Sequence, residues 1–178
     1  ALGERPRRRD FQPATAVEFL RRTIRANPGE VTLLAIGPMT NVAALFALDP
    51  EIPSLLGGLF LMCGRFFEGM GHEWNAVNDA HAAAIVYGAG RRTAPPRHLS
   101  YGLDVTGRCR MPADECRRRF TAAVLEPVRE FAEVWFAAGR ARITFHDPLA
   151  AACIFEPDLC RYRRGRVSVS LTEPTEAW

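Results

Sequence analysis

The chain contains no lysine; all 23 of its basic residues are arginine. Uniform usage in every sequence context reads as coding bias rather than selection for guanidinium chemistry, although arginine does favour bidentate contacts with carboxylate and phosphate. Net positive charge is also scarce, at a formal +3. The arginine clusters at Arg7-Arg8-Arg9, Arg117-Arg118-Arg119 and from Arg161 to Arg166 are accompanied by no aromatic-interleaved RNA motif or recognition-helix pattern and read as solvated faces. Paired cysteine spacing is missing too. Cys63, Cys109, Cys116, Cys153 and Cys160 are odd in number and contain no C-x-x-C, so neither a disulfide framework nor a zinc site is indicated, and most of the thiols are expected to be reduced and structural. No run of about eighteen apolar residues is present to span a bilayer, and the arginine-rich start is not followed by the apolar core of a secretory signal. A soluble, cytoplasmic protein without a membrane or nucleic-acid partner is expected.

What is present suits one globular domain: 178 residues, 48% hydrophobic and 24% charged, enough to bury a core. Residues 1–13 are polar and broken by Pro6 and Pro13, which predicts a loop or arm. Thr15 and Glu18 have the spacing of a capping box, Val17, Leu20 and Ile24 mark one helical face, and Asn27-Pro28-Gly29 ends that helix. Val31 to Ile36 is a short continuous apolar run, the pattern of a strand covered on both faces, and Gly37-Pro38 stops it. An apolar helix over Val42 to Leu48, a short one from Ile52 to Leu56 and a second buried strand over Leu59 to Cys63 continue the alternation. Arg65 to Asn78 is polar and glycine-broken, carrying Glu68, His72, Glu73, Trp74 and Asn75, before Asp79 caps a helix ending near Tyr87-Gly88. A strand over Arg97 to Val105, a helical region from Met111 to Gly139 with a break near Pro127, and an alternating strand over Arg166 to Leu171 complete the reading. The fold class is α/β: a layered, mostly parallel sheet with helices on both faces and a Rossmann-like core.

Chemistry concentrates at Phe145-His146-Asp147-Pro148-Leu149-Ala150, where an imidazole and a carboxylate sit side by side at a strand-to-helix junction. Pro148 suits a first helical turn and Asp147 can cap it. At the carboxyl end of a strand in an open α/β sheet such a junction faces the ligand crevice. Parallel strands would bring this loop to the same edge as those around Thr40-Asn41 and Glu73-Trp74-Asn75. The set offers two carboxylates, an imidazole, two amides and a hydroxyl, a mixture suited to a hydroxyl-rich ligand or a hard cation. Each residue also has a plainer role available: Thr40 and Asp79 as helix caps, Trp74 as core, His146 as a hydrogen-bonded core histidine.

Three blocks carry a resemblance: Pro28 to Ala43 (PGEVTLLAIGPMTNVA), then Glu73-Trp74-Asn75 followed by Asp79 and Ala82-Ala83, then His146-Asp147-Pro148-Leu149-Ala150. In order and separation they resemble the inosine-uridine preferring nucleoside hydrolase family over nearly the whole chain. The resemblance implies hydrolysis of the N-glycosidic bond of a ribonucleoside at a Ca²⁺ held by the end of a parallel sheet. It further implies that the Thr40 carbonyl and Asp147 bind the calcium, that Asp147, Glu73 and Asn75 bind ribose hydroxyls beside Trp74, and that His146 is the catalytic group assisting departure of the base. Family members also form dimers or tetramers, which makes a homo-oligomer an expectation.

The chain departs from the family pattern as well. The family opens on a strand of the form D-x-D-x-x-x-D-D that supplies most calcium ligands and the base activating water, whereas only Asp10 precedes Thr40 here. The loop upstream of Glu73 has Phe67 about where the family has an asparagine, and a Gly-Gly is replaced by Cys63-Gly64. The expectation is therefore a single domain over 1–178, truncated at both ends, with weak or no activity alone. A non-catalytic binding or scaffolding remnant of the same fold is the alternative.

Overall fold

The computed structural model describes residues 10, 12, 14–67, 72–89 and 97–171. Helix α1 (Ala16–Ala26) leads into strand β1 (Thr32–Ala35), helices α2 (Thr40–Leu48) and α3 (Ile52–Leu55), and strand β2 (Gly58–Leu61). Helices α4 (Trp74–Asn78) and α5 (Ala80–Ala89) follow, then β3 (His98–Ser100) and the single-turn α6 (Leu103–Thr106). An excursion of β4 (Arg110–Pro112), α7 (Ala113–Arg119), α8 (Glu126–Ala137) and β5 (Arg142–Thr144) returns the chain to α9 (His146–Phe155).

The main sheet is parallel, in the order β1-β2-β3, with Leu33 paired to Leu59 and Phe60 to Leu99. β2 lies in the middle and is buried throughout, which is why Gly58-Leu59-Phe60-Leu61 reads as an unbroken apolar run. Alternation along the strands divides the core in two. Leu33, Ala35, Leu59 and Leu61 face Ile24, Val42, Leu45, Phe46, Ala83 and Val86 from α1, α2 and α5. Leu34, Phe60 and Leu99 face the other way, onto Tyr101 and onto Ala150 and Cys153 of α9. Helices thus cover both faces, as the α/β reading expects.

Several local expectations differ. The capping box does not form: Thr15 donates to the Gln12 carbonyl (2.9 Å), and Glu18 accepts from Arg21 instead (2.8 and 3.0 Å). An arginine three residues on captures the carboxylate that would otherwise reach back to the cap. The strand expected over Arg97 to Val105 ends at Ser100, because Gly102 breaks it and Leu103 starts α6. Met111 and Pro112 belong to β4, not to the following helix, and the two helices beyond separate at Phe120 to Ala122, leaving Pro127 in the first turn of α8. β5 pairs antiparallel with β4, so the His146 loop does not follow a strand of the main sheet. Residues 161–171 form no regular element, in place of the strand expected at Arg166 to Leu171. Much of the loop expected over 1–13, and Glu68, lie outside the described residues. Among the described residues no helix is long and apolar enough to cross a membrane.

Candidate functional site

Parallel pairing places the ends of β1, β2 and β3 at one edge, and the segments leaving them approach closely there. Leu103 N donates to the Gly64 carbonyl (2.9 Å), joining the loop after β2 to the turn after β3. A Cβ on Gly102 would lie 2.7 Å from Gly64 O, 2.8 Å from the Asp104 carboxylate and 2.9 Å from the Phe66 ring, so only glycine permits this approach. Asp104 completes the join by accepting from Phe66 N (2.6 Å) and Phe67 N (3.0 Å).

The loop after β2 has a second brace. Glu73 caps α4, accepting from Asn75 N (2.8 Å) and Ala76 N (2.9 Å), and also accepts from Gly64 N (2.9 Å). Its carboxylate is 3% exposed, and these backbone donors replace the water it has lost. Asn75, also buried, donates to the Met62 carbonyl (2.8 Å). Both side chains thus tie α4 to the end of β2. Buried alongside Glu73, the Cys63 thiol is pushed up to about 12, first by desolvation and then by the neighbouring carboxylate.

Thr40 opens α2 and donates to Asp79 (2.7 Å), which also accepts from Ala82 N (2.9 Å) as the cap of α5. Those two bonds, the Thr40 hydroxyl first, hold the Asp79 carboxyl below its ordinary range. Trp74 stands 77% exposed, so it is not part of the core.

His146 and Asp147 begin α9. Phe145 occupies the cap position, its N–H donating to the Cys109 carbonyl (2.8 Å), so Asp147 lies within the first turn rather than capping it. His146 Nδ1 is 2.8 Å from Thr106 Oγ1 on α6, and Thr106 donates its own proton to the Gly102 carbonyl (3.0 Å). One hydroxyl carries one proton, so His146 Nδ1–H is the donor and Nε2 is left for a ligand. The imidazole borders a cavity of about 260 Å³ shared with Arg65, Asp104, Arg108 and Thr144.

Asp147 is half-buried, and among the described residues no hydrogen bond reaches its carboxylate. Desolvation raises its carboxyl above the ordinary value, His146 opposes that rise, and the Glu73 charge adds to it. The two carboxylates therefore share one field, one satisfied by backbone donors and the other not.

Thr106, Asp104 and Gly102 were not among the residues singled out by sequence. The signal available was Gly102 followed by Leu103-Asp104-Val105-Thr106 directly after a strand, a break masked by the strand-like alternation of Leu99, Tyr101, Leu103 and Val105 across it.

The parallel sheet with helices on both faces, the glutamate braced at the end of its middle strand and the His-Asp pair opening α9 make this an α/β layered chain with polar groups gathered near one edge of the sheet. The family model of the inosine-uridine preferring nucleoside hydrolases matches residues 2–177, and the chain belongs to that family. It is 27% identical over 177 residues to uridine nucleosidase 1 of Arabidopsis thaliana, covering 92% of this chain and 51% of that protein. A pyrimidine-specific ribonucleoside hydrolase of Citrobacter koseri is 31% identical over 164 residues, covering 83% of this chain and 49% of its own length. Among solved structures, a purine-preferring ribonucleoside hydrolase from Gardnerella vaginalis superposes with a TM-score of 0.75 at 26% identity, over 96% of this chain and 55% of that one. The chain thus spans about half the length of the relatives it matches.

Calcium is the metal implied by the resemblance. Among the described residues no group of three or more His, Cys, Asp or Glu side chains is placed to hold a metal ion. Ca²⁺ takes about six to eight oxygens; the Thr40 carbonyl and Asp147 would supply two, and Glu73, with three backbone donors on its carboxylate, could add no more than one further contact. The described residues do not by themselves fit a calcium site.

Proposed function

We propose that this chain provides one side of a nucleoside hydrolase site, in a protein that cleaves the N-glycosidic bond of a ribonucleoside to ribose and free base. The carrying observation is the Asp147 carboxylate, to which no described residue donates, beside an imidazole whose Nε2 is left available by Thr106. A carboxylate withdrawn from water without donors of its own gains most from ligand hydroxyls or a cation. In the reaction the C–N bond lengthens while positive charge develops on the sugar, and Asp147 and Glu73 stabilise that charge. His146 Nε2, when protonated, donates to the departing base, a role commonly worth about 10²–10⁴ in rate. Glu73 retains a lone pair for a ribose hydroxyl, Asn75 retains its amide oxygen, and exposed Trp74 offers a face to the base. Calcium, with Thr40 and Asp147 among its ligands, requires oxygen donors beyond the described residues. The protein acts on free nucleosides, and its assembly is a homo-oligomer.

The test is release of free base from inosine and from uridine by the full-length protein, with added calcium and with a chelator. Hydrolysis that disappears in Asp147→Asn supports the assignment. Absence of hydrolysis, or full activity in that variant, overturns it, and nucleoside binding without turnover points instead to a non-catalytic relative.

A further inference from the structure

Outside the crevice, two sulfurs face one another. Cys153 lies in the third turn of α9, wholly buried, and its Sγ is 3.6 Å from that of Cys160, just beyond the short 3₁₀ turn Pro157–Leu159. Cys160 is only partly buried and lines a cavity of about 780 Å³ whose wall continues through Arg161, Tyr162 and Arg163. None of His146, Asp147 or Glu73 borders that cavity. Above the sulfurs, Tyr101 and Tyr162 share a hydrogen bond of 3.1 Å, which joins the same wall to the buried face of the sheet.

We propose that Cys153 and Cys160 are a disulfide-forming dithiol, oxidised by a hydroperoxide or a small-molecule disulfide entering through this cavity. The assignment rests on the separation of the sulfurs and the opening beside one of them, and is independent of the nucleoside hydrolase reading. A disulfide needs sulfurs about 2.05 Å apart. Closing the remaining gap falls to Cys160, which follows a 3₁₀ turn rather than occupying a helix interior.

With a hydroperoxide, Cys160 thiolate attacks the terminal oxygen; the S–O bond forms, the O–O bond breaks, and the alcohol or water leaves with a proton. Cys153 then attacks the sulfenic sulfur, the S–S bond forms, and water leaves carrying the sulfenic oxygen and the thiol proton. Two thiols are oxidised and one peroxide is reduced; with a small-molecule disulfide, Cys160 thiolate attacks one sulfur and expels the first small thiol, and Cys153 then attacks Cys160 Sγ and expels the second, so that one disulfide forms and one is reduced to two thiols. Burial pushes the Cys160 thiol up to about 11, so the thiolate is scarce at neutral pH and the first step is slow there. The product ties the cavity wall to the helix that carries His146 and Asp147.

Cleavage after arginine places both cysteines in one peptide, Ile143 to Arg161, which makes the test direct. The folded full-length protein is treated with hydrogen peroxide or oxidised glutathione, its remaining thiols are alkylated, and the digest is read by mass spectrometry. The expected result is a 143–161 peptide about 2 Da lighter that takes up no alkylating agent, reverts with reductant, and forms about tenfold faster per pH unit below the thiol pKa. Cys160→Ser should leave Cys153 alkylated, and Cys109→Ser should change nothing. Retention of two alkylated thiols in that peptide after oxidation, conversion of Cys160 to sulfinic acid, or pairing with Cys109 overturns the proposal.

Discussion

The imidazole of His146 is held by Thr106, whose Oγ1 lies 2.8 Å from Nδ1 while its proton is committed to Gly102 O. Thr106 is wholly buried, so no water replaces it. Thr106→Val therefore leaves Nδ1–H unpaired and the tautomer unfixed, while keeping the shape of the side chain. We expect kcat to fall about tenfold, the equivalent of roughly 1.4 kcal/mol, with KM little changed. Thr106→Ser should restore it. Nitrogen NMR of His146 checks the cause, because the valine variant should lose the single Nδ1–H tautomer and the serine variant should keep it. Unchanged kcat in the valine variant would remove Thr106 from the reaction.

Asp147 should show a conflict between function and stability. Its carboxyl is raised by burial, so the folded state favours the protonated form. A raised folded value means that the group's stabilising contribution is complete below the unfolded value of about 3.9 and is lost as pH rises through the folded value. At neutral pH the charged carboxylate is a cost to folding. Asp147→Asn is accordingly expected to abolish turnover yet raise Tm at neutral pH, with the gain shrinking on acidification. Thermal melts of both proteins across about pH 3 to pH 7 check the sign. A lower Tm for the variant at neutral pH would mean that the folded protein holds this carboxylate favourably.

The sheet was legible because β2 is covered on both faces and the partly buried β1 packs side chains to both, and such strands leave a contiguous apolar run. The His146-Asp147 pair was legible because Pro148 marks a helix start. What was not legible came from side-chain and strand partners that local pattern does not choose between. Arg21 takes the carboxylate that Glu18 would give to a capping box. Gly102 ends β3 so that α6 can place Asp104 and Thr106, and nothing within Arg97 to Val105 announces that Phe66 and His146 will be their partners. The antiparallel pairing of β5 with β4 is likewise a tertiary choice, since three residues carry too little pattern to distinguish it.

Glu73 should matter to folding as well as to any ligand. Its Oε1 accepts from Asn75 N, and its Oε2 from Gly64 N and Ala76 N. An amide NH₂ in either position would confront a backbone N–H that has no other acceptor. Glu73→Gln is expected to cost about 1.5–3 kcal/mol, the range for hydrogen bonds to a charged group. Urea unfolding measures this directly. If the variant is as stable as the parent and only its KM for nucleoside rises, the carboxylate acts on ligand alone.

Asp49 supplies the pH-dependent counterpart at the opposite end of α2. It receives both Nε (2.6 Å) and Nη2 (2.7 Å) of Arg25, which joins α1 to the end of α2, and Arg25 also reaches Glu51 (2.9 Å). The Arg25 hydrogen bonds hold the Asp49 carboxyl below its ordinary range against the opposing effect of burial. A depressed folded value gives stability that is present above the unfolded value of about 3.9 and lost as pH falls through the folded value. The parent should therefore lose stability on acidification more steeply than Asp49→Asn. That variant is expected to be less stable at neutral pH and to approach the parent below about pH 4. Because Arg25 is partly exposed, added salt should narrow the neutral-pH difference without removing it. Parallel acid titration curves for the two proteins would show that the α1–α2 ion pair contributes nothing to the acid transition.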